Sequence, residues 1–194
     1  MEWEIVDKQV KHQGFFRLEK YRLRHALFSG GWSPVISREL FERGHAVAVL
    51  PYDPVRDEVV LLEQFRIGAL EDPQGPWLLE VVAGMIEAGE TEASVARRES
   101  LEEAGCEVRE LIPITRYYAS PGGSSETISL FCALVDTSAV EGIHGLDEED
   151  EDIRVDVVPR ETATRWVEQG DIDSAAPIIA LQWLALNRER FVGR

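Results

Sequence analysis

Apolar and polar residues alternate through residues 3–42 (WEIVDKQVKHQGFFRLEKYRLRHALFSGGWSPVISRELFE), with aromatics and arginines interleaved. A period of two puts successive side chains on opposite faces of a strand, so this stretch predicts two or three antiparallel strands turning near Gln13-Gly14 and Gly30-Gly31. Residues 45–51 (HAVAVLP) and 58–64 (EVVLLEQ) predict a hairpin around Tyr52-Asp53-Pro54, and Trp77 to Val82 a further short strand. The period then changes: a helix is expected over roughly 90–104, strands near 109–118, 126–135 and 153–158, and helices over 160–169 and 174–190. In the last helix Ile178, Ile179, Leu181, Leu184 and Leu186 point to a mostly buried element. Strands before and after a central helix, with helices at the end, make an α/β chain with a mixed sheet between helices. Residues 1–42 form an extra antiparallel β region, too small to stand alone and so expected to pack on something.

The expected central helix carries the chemistry. Glu99, Glu102 and Glu103 fall at i, i+3 and i+4, one helical face. Carboxylates so close repel unless a cation lies between them or solvent bathes them. Oxygen-only ligands suit a hard divalent ion, Mg²⁺ or Mn²⁺. Gly89 and Glu90 are expected to open the helix, with acidic charge favourable at its positive end. Ala93, Ala96, Ser100 and Ala104 offer a small-residue face to a sheet, and Gly105 is placed to stop the helix in the left-handed conformation. Arg98 is expected to orient its acidic neighbours, the alternative being a surface ion pair.

Composition narrows the classes. A net charge of −16 disfavours nucleic acid as a partner, and no apolar run approaches the ~20 residues of a membrane span. The opening MEWEIVDKQV does not read as a secretory signal, and Cys106 and Cys132 form no CxxC or Cys/His cluster; a cytoplasmic location is expected. The acidic run Asp147–Asp152 reads as solvated charge or as part of a site; an EF-hand is disfavoured because Asp152 stands where the loop's glycine would be.

From Gly84 to Cys106 the chain reads GMIEAGETEASVARRESLEEAGC. This resembles the signature of the Nudix hydrolases, G-x5-E-x7-R-E-U-x-E-E-x-G-U with U a bulky apolar residue. Gly84, Glu90, Arg98, Glu99, Glu102, Glu103 and Gly105 match; Ser100 and Cys106 depart from the two apolar slots. LLEQFRIG, WLLEVVAGMIEAGE, the SPGG turn at Ser120–Gly123, GIHGLDEEDEDIRV and IALQWL extend the likeness toward the bacterial ADP-ribose pyrophosphatase subfamily. The resemblance implies an α/β/α sandwich over residues 43–194. It implies hydrolysis of ADP-ribose to AMP and ribose 5-phosphate. Two or three Mg²⁺ ions, Mn²⁺ being possible, would be held by Glu99, Glu103, Glu102 and the carbonyl of Ala83, with Arg98 beside them. It implies a general base on the acidic loop, Glu149 first and Glu151 second. It assigns substrate contacts to Phe15, Arg38, Arg66, Ser120, Gly122 and Glu126, and a homodimer in which residues 1–42 help build the adenine pocket. Phe15 reads equally as strand packing and Arg38 as an exposed strand charge. A pyrophosphatase for a nucleotide sugar or NADH is the alternative, and a non-catalytic ligand-sensing domain a more distant one.

Overall fold

The computed structural model describes residues 1–146 and 150–191. They form two compact units, one of residues 1–45 with 118–127, the other of 46–117 with 128–191.

In the first unit, β1 (Trp3–Gln13), β2 (Arg17–His25) and β3 (Ile36–Glu42) form an antiparallel sheet in that order. Its central strand buries a carboxylate: Glu19 accepts from Lys8 Nζ at 2.9 Å and Tyr21 Oη at 2.7 Å and forms an ion pair with Arg17 Nε at 2.6 Å. Burial pushes its pKa up, but the bonds from Lys8 and Tyr21 outweigh that and hold it below the usual carboxylate range. Residues 118–127 fasten to β3 through Phe41 N–H to the Gly123 carbonyl (2.7 Å) and Ser125 Oγ to Glu42 (2.7 Å).

The second unit is a mixed sheet between helices. Its strands are β4 (Ala46–Asp53), β5 (Glu58–Phe65), β6 (Trp77–Glu80), β7 (Val82–Met85), β8 (Glu110–Tyr118), β9 (Thr127–Leu134), β10 (Gly142–His144) and β11 (Ile153–Pro159). The main order is β10-β11-β5-β4-β9-β8, with β4 parallel to β9. The helices are α1 (Glu92–Glu102), α2 (Arg160–Gln169) and α3 (Ala175–Asn187). Alternation on the central strands builds the layers. Ala48, Leu50, Val59 and Leu61 pack with Ala163 of α2 and Ala180, Leu181 and Leu184 of α3. Val47, Val49, Val60 and Leu62 pack with Val95 and Ala96 of α1. Each such fully buried Val or Leu side chain contributes about 1.5–3 kcal/mol relative to exposure, and each Ala less. Leu186 departs from the expected buried face of α3; its side chain is exposed.

One irregularity positions the site. β4 and β5 pair only at Tyr52/Val59 and Asp53/Glu58. Beyond that they part, and residues 77–85 fill the fork: β6 pairs β5 with Glu80 opposite Leu62, and β7 pairs β4 with Ala83 opposite Ala48 and Gly84 opposite Val47. The sequence suggested one strand here and missed both β7 and the short β10.

The closed end of the fork is held by Asp53, only 1% exposed. It accepts from the backbone of Val55 (2.8 Å) and Thr137 (3.1 Å) and from Arg56 Nη1 (2.7 Å). Burial alone would raise its pKa, but Thr137 and Arg56 hold it below the usual range. A depressed folded-state pKa adds stability that is present above the unfolded value, about 3.9, and lost as pH falls through the folded one. Asp53→Ala should cost about 3 kcal/mol, because it strands buried donors. Urea unfolding at pH 7 measures this; a loss under 1 kcal/mol would show that the donors find water instead.

Candidate active site

Helix α1 starts at Thr91, whose hydroxyl accepts from Ser94 N–H while Ser94 Oγ accepts from Thr91 N–H. This reciprocal cap supplants the opening expected at Gly89-Glu90. Val95, Ala96 and Ser100 face the sheet, and Ala93 is exposed. Ser100 is accommodated in its apolar slot by donating to the Ala96 carbonyl at 2.7 Å, and Cys106 is buried in the other. Gly105 ends the helix at φ +62°, with Cys106 N–H reaching back to the Ser100 carbonyl at 2.8 Å.

The helix faces the fork with two carboxylates. Glu103, 2% exposed, accepts from Ala83 N–H at 2.9 Å. Glu99 lies against Gly84, where a Cβ would overlap its carboxylate; only glycine admits it there. Burial raises the Glu103 pKa to about 8, against the pull of the Ala83 N–H and with the push of Glu99 and Glu151. Burial raises Glu99 to about 7, with Arg98 working against it and Glu102 and Glu151 with it. Holding Glu103 ionised therefore costs on the order of a few kcal/mol more than in water. A buried and a half-buried carboxylate that resist ionising together are hard oxygen donors whose charge a divalent cation would offset, and the pair fits such an ion. Among the described residues no group of three or more His, Cys, Asp or Glu side chains is arranged to hold a metal ion by itself. Arg98 pairs with Glu102 (2.9 Å), Glu99 (2.9 Å) and Glu90 (3.2 Å).

Of the loop candidates, Glu149 lies outside the described residues. Glu151 N–H donates to the Leu146 carbonyl at 3.2 Å, Leu146 N–H reaches the Glu151 carboxylate at 3.4 Å, and Glu151 is near enough to raise the pKa of both Glu99 and Glu103. Arg66 follows β5 and pairs through Nε with Glu80 at 2.7 Å; its charge opposes the upward shift of Glu103. Glu80 was not singled out in the sequence. The cue was there in WLLE, where strand alternation leaves one acid at the end of an apolar run.

The remaining candidates belong to the first unit. Arg38 and Gly122 line one cavity of about 570 Å³ together with Trp3, Ile5, Tyr21 and Pro121. Arg38 also donates to the Ser37 carbonyl at 2.8 Å. Phe15 is 87% exposed in the β1–β2 turn, stacked edge-on to Phe16, and is not among the residues lining that cavity. The Ser120 carbonyl accepts from Gly123 and Ser124 N–H at 3.1 and 2.9 Å. Glu126, nearly buried, pairs with Arg43 at 3.3 Å.

Residues 42–181 match the model of the NUDIX domain. The chain is 55% identical over 186 residues to an ADP-ribose pyrophosphatase of Escherichia coli (strain K12), covering 96% of this chain and 89% of the relative. It is 38% identical over 151 residues to a GDP-mannose pyrophosphatase of Cronobacter sakazakii, covering 77% and 78%. A crystal structure of an ADP compounds hydrolase superposes with a TM-score of 0.71 at 21% identity, covering 96% of each chain, a likeness of fold.

Proposed function

The chain belongs to the NUDIX domain family, and on that premise we propose that it hydrolyses ADP-ribose to AMP and ribose 5-phosphate at the Glu99–Glu103 site. The observation that carries the substrate is the relatedness, across nearly the whole chain, to an enzyme named for that reaction.

Glu99 and Glu103 would hold Mg²⁺, two or three ions with the Ala83 carbonyl and with Glu102 beside them on Arg98, and Mn²⁺ would serve as well. Bound there, the metal supplies charge neutralisation of the diphosphate and a lowered pKa for the attacking water. The protein's own groups do the rest. Ala83 N–H and Gly84 fix the two carboxylates on the fork. Arg98 ties Glu90, Glu99 and Glu102 into one orientation. Arg66 carries a guanidinium suited to a diphosphate oxygen pair. Glu149 or Glu151 takes the proton from water as it attacks phosphorus in line, while the other phosphate leaves. Two buried thiols, Cys106 and Cys132, support a reducing, cytoplasmic setting. No helix among the described residues is long and apolar enough to cross a membrane.

The test is release of the nucleoside monophosphate, AMP from ADP-ribose and NADH, GMP from GDP-mannose and the corresponding monophosphate from another nucleotide sugar, with and without Mg²⁺. ADP-ribose should be turned over with the highest kcat/KM and only with the metal. The GDP-mannose pyrophosphatase relative is the reason for that arm; preference for a nucleotide sugar would replace the substrate and keep the chemistry.

The first unit is the proposed dimerisation region and contributor to the adenine pocket, with Phe15, Arg38, Ser120, Gly122 and Glu126 as contacts. Trp3, Phe15 and Phe28 are 70%, 87% and 97% exposed, and Ile5, Val10 and Trp32 are also open. Apolar exposure of this extent is unusual for a monomer, and a two-fold partner is the simplest cover. Light scattering at micromolar concentration should give twice the 21.8 kDa chain mass. A fully active monomer would overturn both the dimer and the shared pocket.

A further inference from the structure

The run from Glu80 to Gly84 touches three charged groups in five residues. Glu80 holds Arg66, Ala83 N–H holds Glu103, and Gly84 admits Glu99. The arginine and the acidic pair are thus set by one stretch of backbone, itself locked between β5 and β4. Arg66 is fixed at its root as well, its N–H donating to the Pro76 carbonyl at 2.7 Å. Its guanidinium is held at Nε, at 2.7 Å, and among the described residues Glu80 is its one ion-pair partner. Glu80 is the more buried member, 18% exposed against 42% for Arg66, so the carboxylate is the fixed end and the guanidinium the presented one.

We propose that Glu80 is a positioning residue for the hydrolase: by gripping Nε it fixes the plane of the Arg66 guanidinium and leaves the two terminal amino groups to receive the substrate diphosphate. The inference rests on the diphosphate-hydrolase reading of this site. A planar fork that is already oriented loses less rotamer freedom when it meets a phosphate. The competing role is a plain ion pair between β5 and β6. Pairs this exposed contribute little to stability, so the two roles predict different readouts.

The experiment measures kcat and KM for ADP-ribose with Mg²⁺ in the wild type, Glu80→Ala, Glu80→Gln, Arg66→Ala and the Glu80→Ala/Arg66→Ala double variant. The wild type tests the substrate reading; if it turns over a different nucleoside diphosphate compound, the series is run on that one. Glu80→Ala should raise KM ~10-fold with kcat within about twofold, because a grip on non-reacting oxygens is made equally in ground and transition states. Glu80→Gln, whose amide oxygen still accepts from Nε, should recover most of the loss. The double variant should be no worse than Arg66→Ala alone, since Glu80 has nothing left to orient. Additive losses in the double variant, or an unchanged KM in Glu80→Ala, overturn the inference. If Glu80→Ala does not fold, Glu80→Gln alone and on the Arg66→Ala background gives the same reading: a loss that persists without Arg66 overturns it.

Discussion

Glu103→Gln is expected to reduce turnover far more than tenfold, above ~1.4 kcal/mol in the barrier, in a protein that stays folded. The fold should survive because the Gln amide oxygen can still accept the Ala83 N–H bond that Glu103 accepts at 2.9 Å. A neutral group also suits the site: burial and the neighbouring Glu99 and Glu151 press Glu103 toward its uncharged form. What the substitution removes is the negative charge that draws a divalent cation to a place where the chain alone resists carrying it. Two measurements separate the effects. Thermal unfolding without metal should match or exceed the wild type, and the rise in melting temperature on adding Mg²⁺ should shrink. Near-normal turnover at saturating Mg²⁺ would remove the Glu99–Glu103 pair from the mechanism.

The acidic pair was legible in the sequence because helical spacing is a local property: i and i+4 share a face whatever the rest of the chain does. The role of Gly84 was half legible. Its spacing from Glu90 marked it, but that it makes room for the Glu99 carboxylate depends on β7 lying beside α1, which no local pattern encodes. The layers followed from alternation in HAVAVLP and EVVLLEQ, since a strand buried on both faces shows little polar interruption. The fork between β4 and β5 was not legible: WLLEVV reads as one strand, and the division of residues 77–85 into two short strands on different partners is settled by tertiary pairing. The cap at Thr91 differs from the expected opening at Gly89-Glu90, although T-x-x-S before an apolar run is itself a start signal. Leu186 shows the limit of counting apolar residues: it stands two residues, about 200° of helical turn, from buried Leu184 and so on the outward face of α3. The split between Arg66 and Arg38, one beside the acidic pair and one in the other unit, follows from chain topology and has no sequence signal.

The general base is expected on the acidic loop, and removing it should produce the second large loss. Glu149→Gln should lower kcat sharply while leaving substrate KM and the Mg²⁺-induced rise in melting temperature nearly unchanged, because a base acts only as the proton leaves the attacking water. General acid–base catalysis is worth roughly 10²–10⁴-fold, so the loss should fall in that range. Glu151 is the competing assignment, and the structure gives it a concrete alternative role: its backbone N–H donates to the Leu146 carbonyl and its carboxylate accepts from Leu146 N–H. If that is its work, Glu151→Gln should have a modest effect, since the backbone bond from Glu151 N–H to the Leu146 carbonyl remains. Glu148→Gln should do little and serves as the control for charge alone. The pattern of kcat across the three variants therefore assigns the role. A large loss confined to Glu151→Gln moves the base by two residues and keeps the mechanism. Equal, small losses in all three would mean that the run is solvated charge, and that the proton leaves to bulk water or to Glu102.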